Sequence, residues 1–190
     1  MLLRNRAPRI ETLSTQTSKD YRHLDDKAVA VLRWLIANRI DFVLVGDVAR
    51  AIRGDRGARG PVSIVPAPYG RNLDRLISAL HGAHARRRID GDPVRDSEVA
   101  SQALKLTLDK LVAPPRWTLR CGVHDLDVEG RPKGVPRYQE LLYEASGFEL
   151  APQVKIEVAA PEDIEHYEHV RLTGASPEIR ISRGSSVEQH

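Results

Sequence analysis

The chain contains few aromatic residues and a single cysteine. Phe, Trp and Tyr together make up 5% of its 190 residues, a content that argues against the extended stacking platforms on which single-stranded nucleic acid binds. Because Cys121 is the one cysteine of the chain, an intramolecular disulfide and a zinc site built from several cysteines are both excluded. The protein is therefore neither a disulfide-stabilised scaffold nor a cysteine-rich metal protein.

Long hydrophobic runs are absent as well. No apolar stretch approaches the roughly 20 residues that a membrane-spanning helix requires. The N-terminal segment, MLLRNRAPRIETLSTQ, lacks the apolar core of a signal peptide. We therefore expect a cytoplasmic protein without a membrane partner.

The remaining composition is that of an ordinary folded domain. Hydrophobic residues make up 41% of the chain and charged residues 29%, and its length predicts one domain, with or without an appendage. Residues 1–20 mix polar residues without periodicity and predict a flexible arm. Residues 21–172 then form the domain, and residues 173–190, rich in Ser, Gly and Arg, predict a flexible tail.

The charge is small in total but unevenly distributed. The formal net charge is +3, yet residues 50–88 hold nine arginines against two aspartates, a local charge of +7. Residues 140–170 hold eight acidic residues against one lysine, a local charge of −7. Such runs usually form solvated faces. They could also attract a phosphate-bearing ligand to the basic half, or join the two halves of different copies in a homo-oligomer.

The arginines supply the strongest candidate for a phosphate or nucleic-acid patch. The planar guanidinium group binds phosphate through two parallel hydrogen bonds, and such contacts dominate nucleic-acid affinity. The predicted patch consists of Arg50, Arg53, Arg86, Arg87 and Arg88. The alternative is that these residues serve solubility or a salt-bridged interface.

Hydrophobic periodicity indicates helices that alternate with short strands. Apolar residues recur at helical spacing in some segments and form short continuous or alternating runs in others. The pattern predicts helices over 25–38, 48–53, 72–82, 138–145 and 161–172, and strands over 42–45, 61–65, 83–89, 148–150 and 154–158. It predicts a strand or a hairpin over 117–128. Asn72 is the expected cap of its helix. Residues 97–112 fit either a helix or a strand. The fold class is therefore α/β or α+β, with one mixed sheet flanked by helices.

Four stretches, in this order and spacing, resemble the nucleotidyltransferase superfamily of the polymerase-beta type. The likeness is closest to small bacterial members related to minimal nucleotidyltransferases and abortive-infection toxins, which act in toxin–antitoxin pairs. The stretches are FVLVGDVARAIRG, GARGPVSIVPA, VHDLDVEGRPKGVPRYQELLYEA and KIEVAAPEDIEHY. The resemblance covers roughly residues 28–170 and implies a nucleotidyltransferase-like mixed sheet with flanking helices.

The family's chemistry depends on three carboxylates that hold two divalent metal ions. The ions bridge the triphosphate and activate the attacking hydroxyl. Two of the acids stand one residue apart on a strand, in a pattern R-x-T-x-D-x-D, so that both point to the same side. A glycine turn lets backbone N–H groups approach the phosphates.

This chain departs from the family at the metal-binding acids. Ser63 and Val65 stand where the resemblance places the two acids of the strand, and Pro61 replaces the usual Thr. Serine is a weak magnesium ligand and valine is none. Asp127 alone remains as the implied catalytic carboxylate, and one carboxylate cannot hold two metals.

The implied nucleotide-binding residues are altered too. The glycine turn keeps Gly46 but follows it with Asp47, whose charge would repel phosphates. The resemblance carries nucleotide binding over to Gly46, Asp47, Arg59 and Ser63. We therefore expect a nucleotidyltransferase-fold protein that is catalytically inactive and acts as a binding or regulatory module for a nucleotide, a nucleic-acid phosphate, a protein partner or a second copy.

Two alternatives remain open. Asp47, Asp125 and Asp127 could form a rearranged site for Mg²⁺ or Mn²⁺, which would make the protein an active, toxin-like nucleotidyltransferase. The arginine patch could instead belong to a basic nucleic-acid-binding domain unrelated to the family.

Two further groups of potential ligands are more typical of ordinary structure. Cys121, His124 and Asp125 are expected to alternate between the faces of a strand, and we expect the cysteine to be buried and inert. Glu162, His166 and His169 share one face of a predicted helix, which is most simply a solvated face.

Overall fold

The computed structural model describes Ile10 and residues 19–88, 116–130 and 134–173. The helices are α1 (Asp26–Ala37), α2 (Gly46–Ile52), α3 (Gly70–Gly82), α4 (Tyr138–Glu144) and α5 (Pro161–Thr173), after a 3₁₀ turn at Lys19–Tyr21. The strands are β1 (Phe42–Val45), β2 (Val62–Pro66), β3 (Arg86–Arg87), β4 (Arg116–Cys121), β5 (His124–Glu129), β6 (Ser146–Ala151) and β7 (Val154–Val158).

One seven-stranded mixed sheet organises these elements, in the order β3-β4-β5-β2-β1-β7-β6. The pairs β1–β7 and β2–β5 are parallel, and the other neighbours are antiparallel. Helices flank the sheet, so the predicted α/β architecture is confirmed. None of the described helices combines the length and apolarity that a bilayer crossing requires.

The central strands carry the core. All four residues of β1 and the first four of β2 are buried, as expected for strands covered on both faces. α2 begins at Gly46, directly after β1, two residues earlier than the helix predicted at 48–53. Gly46 takes up the change of direction with a φ of 73°, a conformation that glycine adopts without steric cost.

Helix α1 forms as its sequence predicts. The Asp25 side chain accepts a hydrogen bond from the backbone N–H of Lys27 at 2.9 Å and caps the helix. Val29, Leu32 and Leu35 are buried, and the helix packs across β2, β5 and β7. The predicted bounds of 25–38 are confirmed to within one residue at each end.

Asn72 does not cap α3, contrary to the prediction. The helix begins at Gly70 with Tyr69 in the capping position. Asn72 is fully buried in the first turn instead, where it accepts a hydrogen bond from the Asp41 backbone and donates to the carbonyls of Asp41 and Ala67. Its amide thereby joins α3 to the residue before β1 and to the residue after β2.

The basic strand β3 lies at one edge of the sheet and is shorter than predicted. Its two arginines are exposed, because charged side chains are tolerated at an edge and disfavoured between strands. The predicted strand or hairpin over 117–128 is a hairpin of β4 and β5. The segment 97–112 lies outside the described residues, as do nearly all of the predicted arm and tail.

Candidate functional site

Three residues that the sequence singled out lie close together, two on neighbouring strands and one at the start of α2. Ser63 pairs with Val45 across β1–β2 and with Asp127 across β2–β5. Gly46 follows Val45, and a Cβ atom placed on Gly46 would lie 2.9 Å from the Ser63 Oγ. The glycine turn, the serine and the aspartate therefore form one contiguous site at the end of β1.

The Asp127 carboxylate is buried between two guanidinium groups. The residue is 1% exposed. Its Oδ2 lies 2.6 Å from Nη2 of Arg116, and its Oδ1 lies 3.1 Å from Nη2 of Arg88. Buried carboxylates require compensation of this kind, because an unpaired charge is strongly unfavourable away from water.

Arg116 makes further contacts at the same place. Its Nη2 donates to the Ser63 Oγ at 3.2 Å, and its Nε lies 3.1 Å from Oε1 of Glu129. A single guanidinium group thus contacts oxygen atoms from both β2 and β5. The Arg116 side chain is itself largely buried, so these contacts are little screened by solvent.

An outer pair completes the network. Nε of Arg120 lies 3.0 Å from Oδ1 of Asp125, and Nη1 of Arg88 lies 3.7 Å from Oδ2 of the same carboxylate. The three acids alternate along β5 and therefore share a face. We refer to Arg88, Arg116, Arg120, Asp125, Asp127 and Glu129 as the arginine–carboxylate network. It brings together three arginines and three acids of the described residues.

Glu129 has an unusual affinity for protons in this setting. Its pKa is raised to about 7, because the effect of burial, the largest cause, outweighs the opposing charge of Arg116, and Asp127 adds to the rise. Desolvation dominates because only 11% of the Glu129 side chain is exposed. The folded protein therefore binds a proton at Glu129 at pH values where the unfolded chain has released it.

We expect this proton to make stability depend on pH. The pKa of Glu129 rises from 4.5 to about 7 on folding. The stabilisation of the folded state by this proton is therefore complete below pH 4.5 and is lost as the pH rises through 7. Relative to Glu129→Gln, the wild-type protein should lose roughly 2–3 kcal/mol of unfolding free energy over this window. Urea denaturation of both proteins across the window measures the difference, and other titrating groups cancel. A difference that stays constant with pH would contradict the expectation.

The donor set does not fit the metal pair that the family resemblance implies. Ser63 is neutral, the Val65 side chain is apolar, and both Asp127 oxygens face guanidinium groups, whose positive charge repels a metal ion. Within the described ranges, no group of three or more His, Cys, Asp or Glu side chains could hold a metal ion. The alternative set of Asp47, Asp125 and Asp127, all of them described residues, is therefore not such a group.

Asp47 contacts Arg50 and the loop before β2. Its Oδ1 lies 3.7 Å from Nη1 of Arg50, one turn along α2. Its Oδ2 packs against Gly60 so closely that a Cβ atom there would lie 2.2 Å from it. Asp47 therefore supports the loop before β2. Arg59, in the same loop, donates to the carbonyls of Arg56 and Ala58 at 2.8 and 2.9 Å.

The five arginines of the predicted phosphate patch do not share one surface, which corrects that prediction. Arg88 is buried in the arginine–carboxylate network. Arg53 donates to the carbonyls of Ala159 and Val158 at 2.6 and 3.0 Å. Arg50 donates to Glu165 at 3.0 Å. Of the five, Arg86 and Arg87 are exposed, at the edge of the sheet.

The basic and acidic halves of the chain meet within the molecule. The pair of Arg50 and Glu165 joins α2 to α5, so part of the uneven charge is balanced internally. A cleft of about 380 Å³ lies beside this pair. Its lining is mixed, and is formed by Arg50, Arg53, Asp55, Pro161, Ile164 and Glu165.

Cys121 is buried, as predicted. Burial raises the pKa of its thiol to about 12. A thiolate is the nucleophilic form of cysteine, so this residue does not act as a nucleophile near neutral pH.

Sequence reasoning missed Arg116, Arg120 and Glu129 as members of the site. Their signal lay in the pairing of two strands, where Arg116 of β4 lies opposite Glu129 of β5 and Arg120 lies opposite Asp125. Scanned against models of protein families and against curated protein sequences, the chain matches none. The interpretation of the site therefore depends on the geometry of its own residues.

Proposed function

We propose that this protein is a nucleotidyltransferase-fold protein that has lost catalysis and acts as a binding or regulatory module. The observation that carries the proposal is the pairing of Asp127 with two arginines, Arg88 and Arg116, instead of metal ions. Gly46, Ser63 and Asp127 belong to three separate stretches of the family resemblance, and they lie next to one another in the fold. This arrangement supports the resemblance, because a nucleotidyltransferase site requires those three stretches to lie together.

The loss of catalysis follows from the chemistry of the donors. Nucleotidyl transfer by two metals needs several anionic oxygens to hold two cations against the triphosphate. Here the carboxylate of Asp127 is neutralised within the protein, and Ser63 and Val65 add no charge. The hydroxyl group that would attack the nucleotide is therefore not activated.

A calorimetric titration with each of the four nucleoside triphosphates, with and without Mg²⁺ or Mn²⁺, tests the proposal. A parallel assay follows transfer of a labelled nucleotide to protein, RNA and small acceptors. We expect no metal-dependent binding and no transfer. Metal-dependent transfer that disappears in Asp127→Asn would overturn the proposal and would favour the toxin-like alternative.

The nucleic-acid alternative needs its own control. A gel-shift assay at increasing salt compares the wild-type protein with an Arg86→Glu/Arg87→Glu variant and with a control variant, Arg56→Glu/Arg71→Glu, in which two other exposed arginines change. Binding that weakens steeply with salt and is lost in the edge-strand variant alone would favour a nucleic-acid-binding domain.

A further inference from the structure

We infer that this protein associates head to tail with further copies of itself, through the two opposite edges of its sheet. The basic edge consists of Arg86 and Arg87 of β3, which are exposed. The acidic edge consists of residues 142–149, which lead from the end of α4 into β6. The inference goes beyond the proposed function, because it concerns neither the candidate site nor the binding of a nucleotide.

The charges at the two edges are not neutralised within the molecule. The ion pair between α2 and α5 balances part of the uneven charge internally. Arg86 and Arg87 at one edge, and Glu144 and Glu149 at the other, belong to none of the ion pairs that the described residues form. All four side chains belong to exposed residues. Opposite charges at opposite edges of one sheet therefore attract each other between copies.

The acidic edge also carries apolar groups that suit an arginine. Tyr143 is 86% exposed and Leu142 is 38% exposed. A guanidinium group stacks on an aromatic ring as well as pairing with a carboxylate. Tyr143 and the adjacent Glu144 offer both kinds of partner. Tyrosine and arginine are also the side chains that protein interfaces favour over the remaining surface.

The backbone at both edges is available for pairing. β6 and β3 end the sheet, and each has one neighbouring strand among the described residues. An edge strand leaves a row of N–H and C=O groups without a ladder partner, and a strand from another molecule can bind them. Because β3 is two residues long, we expect few backbone hydrogen bonds and a weak association that depends on the charged and aromatic side chains.

The contact joins two different edges and is therefore heterologous. The acidic edge of one copy binds the basic edge of the next, so a pair of copies keeps one free edge of each kind. Pairing of two acidic edges about a twofold axis is disfavoured, because it brings carboxylates of the same charge together.

Sedimentation velocity at low and at high micromolar concentration, in low and in high salt, tests the inference. The basic-edge variant is Arg86→Gln/Arg87→Gln, and the acidic-edge variant is Glu144→Gln/Glu149→Gln. The matched controls, Arg56→Gln/Arg71→Gln and Asp20→Asn/Asp74→Asn, remove the same charges from other exposed residues.

We expect the wild type and both controls to form larger species as the concentration rises, and to lose them in high salt. Each edge variant alone should stay monomeric over the same range. An equimolar mixture of the two edge variants should form a dimer and nothing larger, because each variant keeps one intact edge. Tyr143→Ala, which changes no charge, should weaken the association roughly two- to fivefold.

Three results would overturn the inference. The first is a wild type that stays monomeric at high micromolar concentration in low salt. The second is an edge variant that alone associates as the wild type does, which would indicate a twofold contact or another surface. The third is a mixture of the two edge variants that forms no dimer. Circular dichroism confirms that each variant is folded, and Tyr143→Ala tests the acidic edge independently of its charges.

Discussion

Asp127→Ala should lower the free energy of unfolding by about 3–5 kcal/mol, since it removes one partner from a buried set of charges. Arg88 is 8% exposed, and Arg116 is held in the same network. Without the carboxylate, both guanidinium groups lose a buried anionic partner while they stay largely shielded from water. Urea denaturation followed by circular dichroism measures the change.

Asp125→Ala is the matched control for this prediction. Asp125 lies two positions away on the same face of β5 and contacts two arginines, but its side chain is 37% exposed. Its loss should cost less than about 1 kcal/mol, because solvent screens the remaining charges. Equal losses in the two variants would show that burial of the charge does not set its contribution.

A double-mutant cycle separates the pair from its surroundings. Arg116→Met combined with Asp127→Asn removes both charges of the shortest ion pair in the network. The double variant should lose less stability than the sum of the two single variants. Each single variant removes one charge of this pair and leaves the other, whereas the double variant removes both charges. Additive losses would contradict direct coupling between the two residues.

Gly46→Ala has the second largest expected effect, a loss of about 2–5 kcal/mol. A residue with a Cβ atom at φ 73° is strained by roughly 1–2 kcal/mol. The new Cβ atom would also lie 2.9 Å from Oγ and 3.0 Å from Cβ of Ser63, and overpacking of this kind adds about 1–3 kcal/mol. Thermal or urea unfolding measures the loss.

Gly122→Ala isolates the backbone contribution. Gly122 has a nearly equal φ of 67°, and a Cβ atom there would meet nothing within 4 Å. Its replacement should therefore cost only the conformational strain. A variant with both Gly46→Ala and Ser63→Ala should recover part of the loss, since it removes Oγ but keeps the Ser63 Cβ. If Gly46→Ala and Gly122→Ala lose equal stability, the close packing between the glycine turn and β2 contributes nothing.

Much of the fold was predictable because the relevant signals are local. The apolar run of β1 and the stripe of α1 depend on residues close in sequence. Asn72 was predicted wrongly for the opposite reason. Its amide has the chemistry of a helix cap, but its partners include Asp41, which lies 31 residues away.

The candidate site was predictable only in part. Gly46, Ser63 and Asp127 were named from their motifs, and the sheet brings them together. The prediction that the arginines form one surface was wrong. A run of positive charge in the sequence does not indicate which arginine side chains form hydrogen bonds or ion pairs within the fold. Arg53 and Arg88 found backbone carbonyls and carboxylates in distant segments.

The sequence by itself determined the α/β pattern, the burial of the central strands and the absence of charge at positions 63 and 65. Those features follow from residue type and from short-range periodicity. Only the tertiary structure decided that Arg116 and Arg88 neutralise Asp127. That outcome depends on strand order and register. They place β4 beside β5 and β3 beside β4, so that long arginine side chains reach a carboxylate that the fold has removed from water.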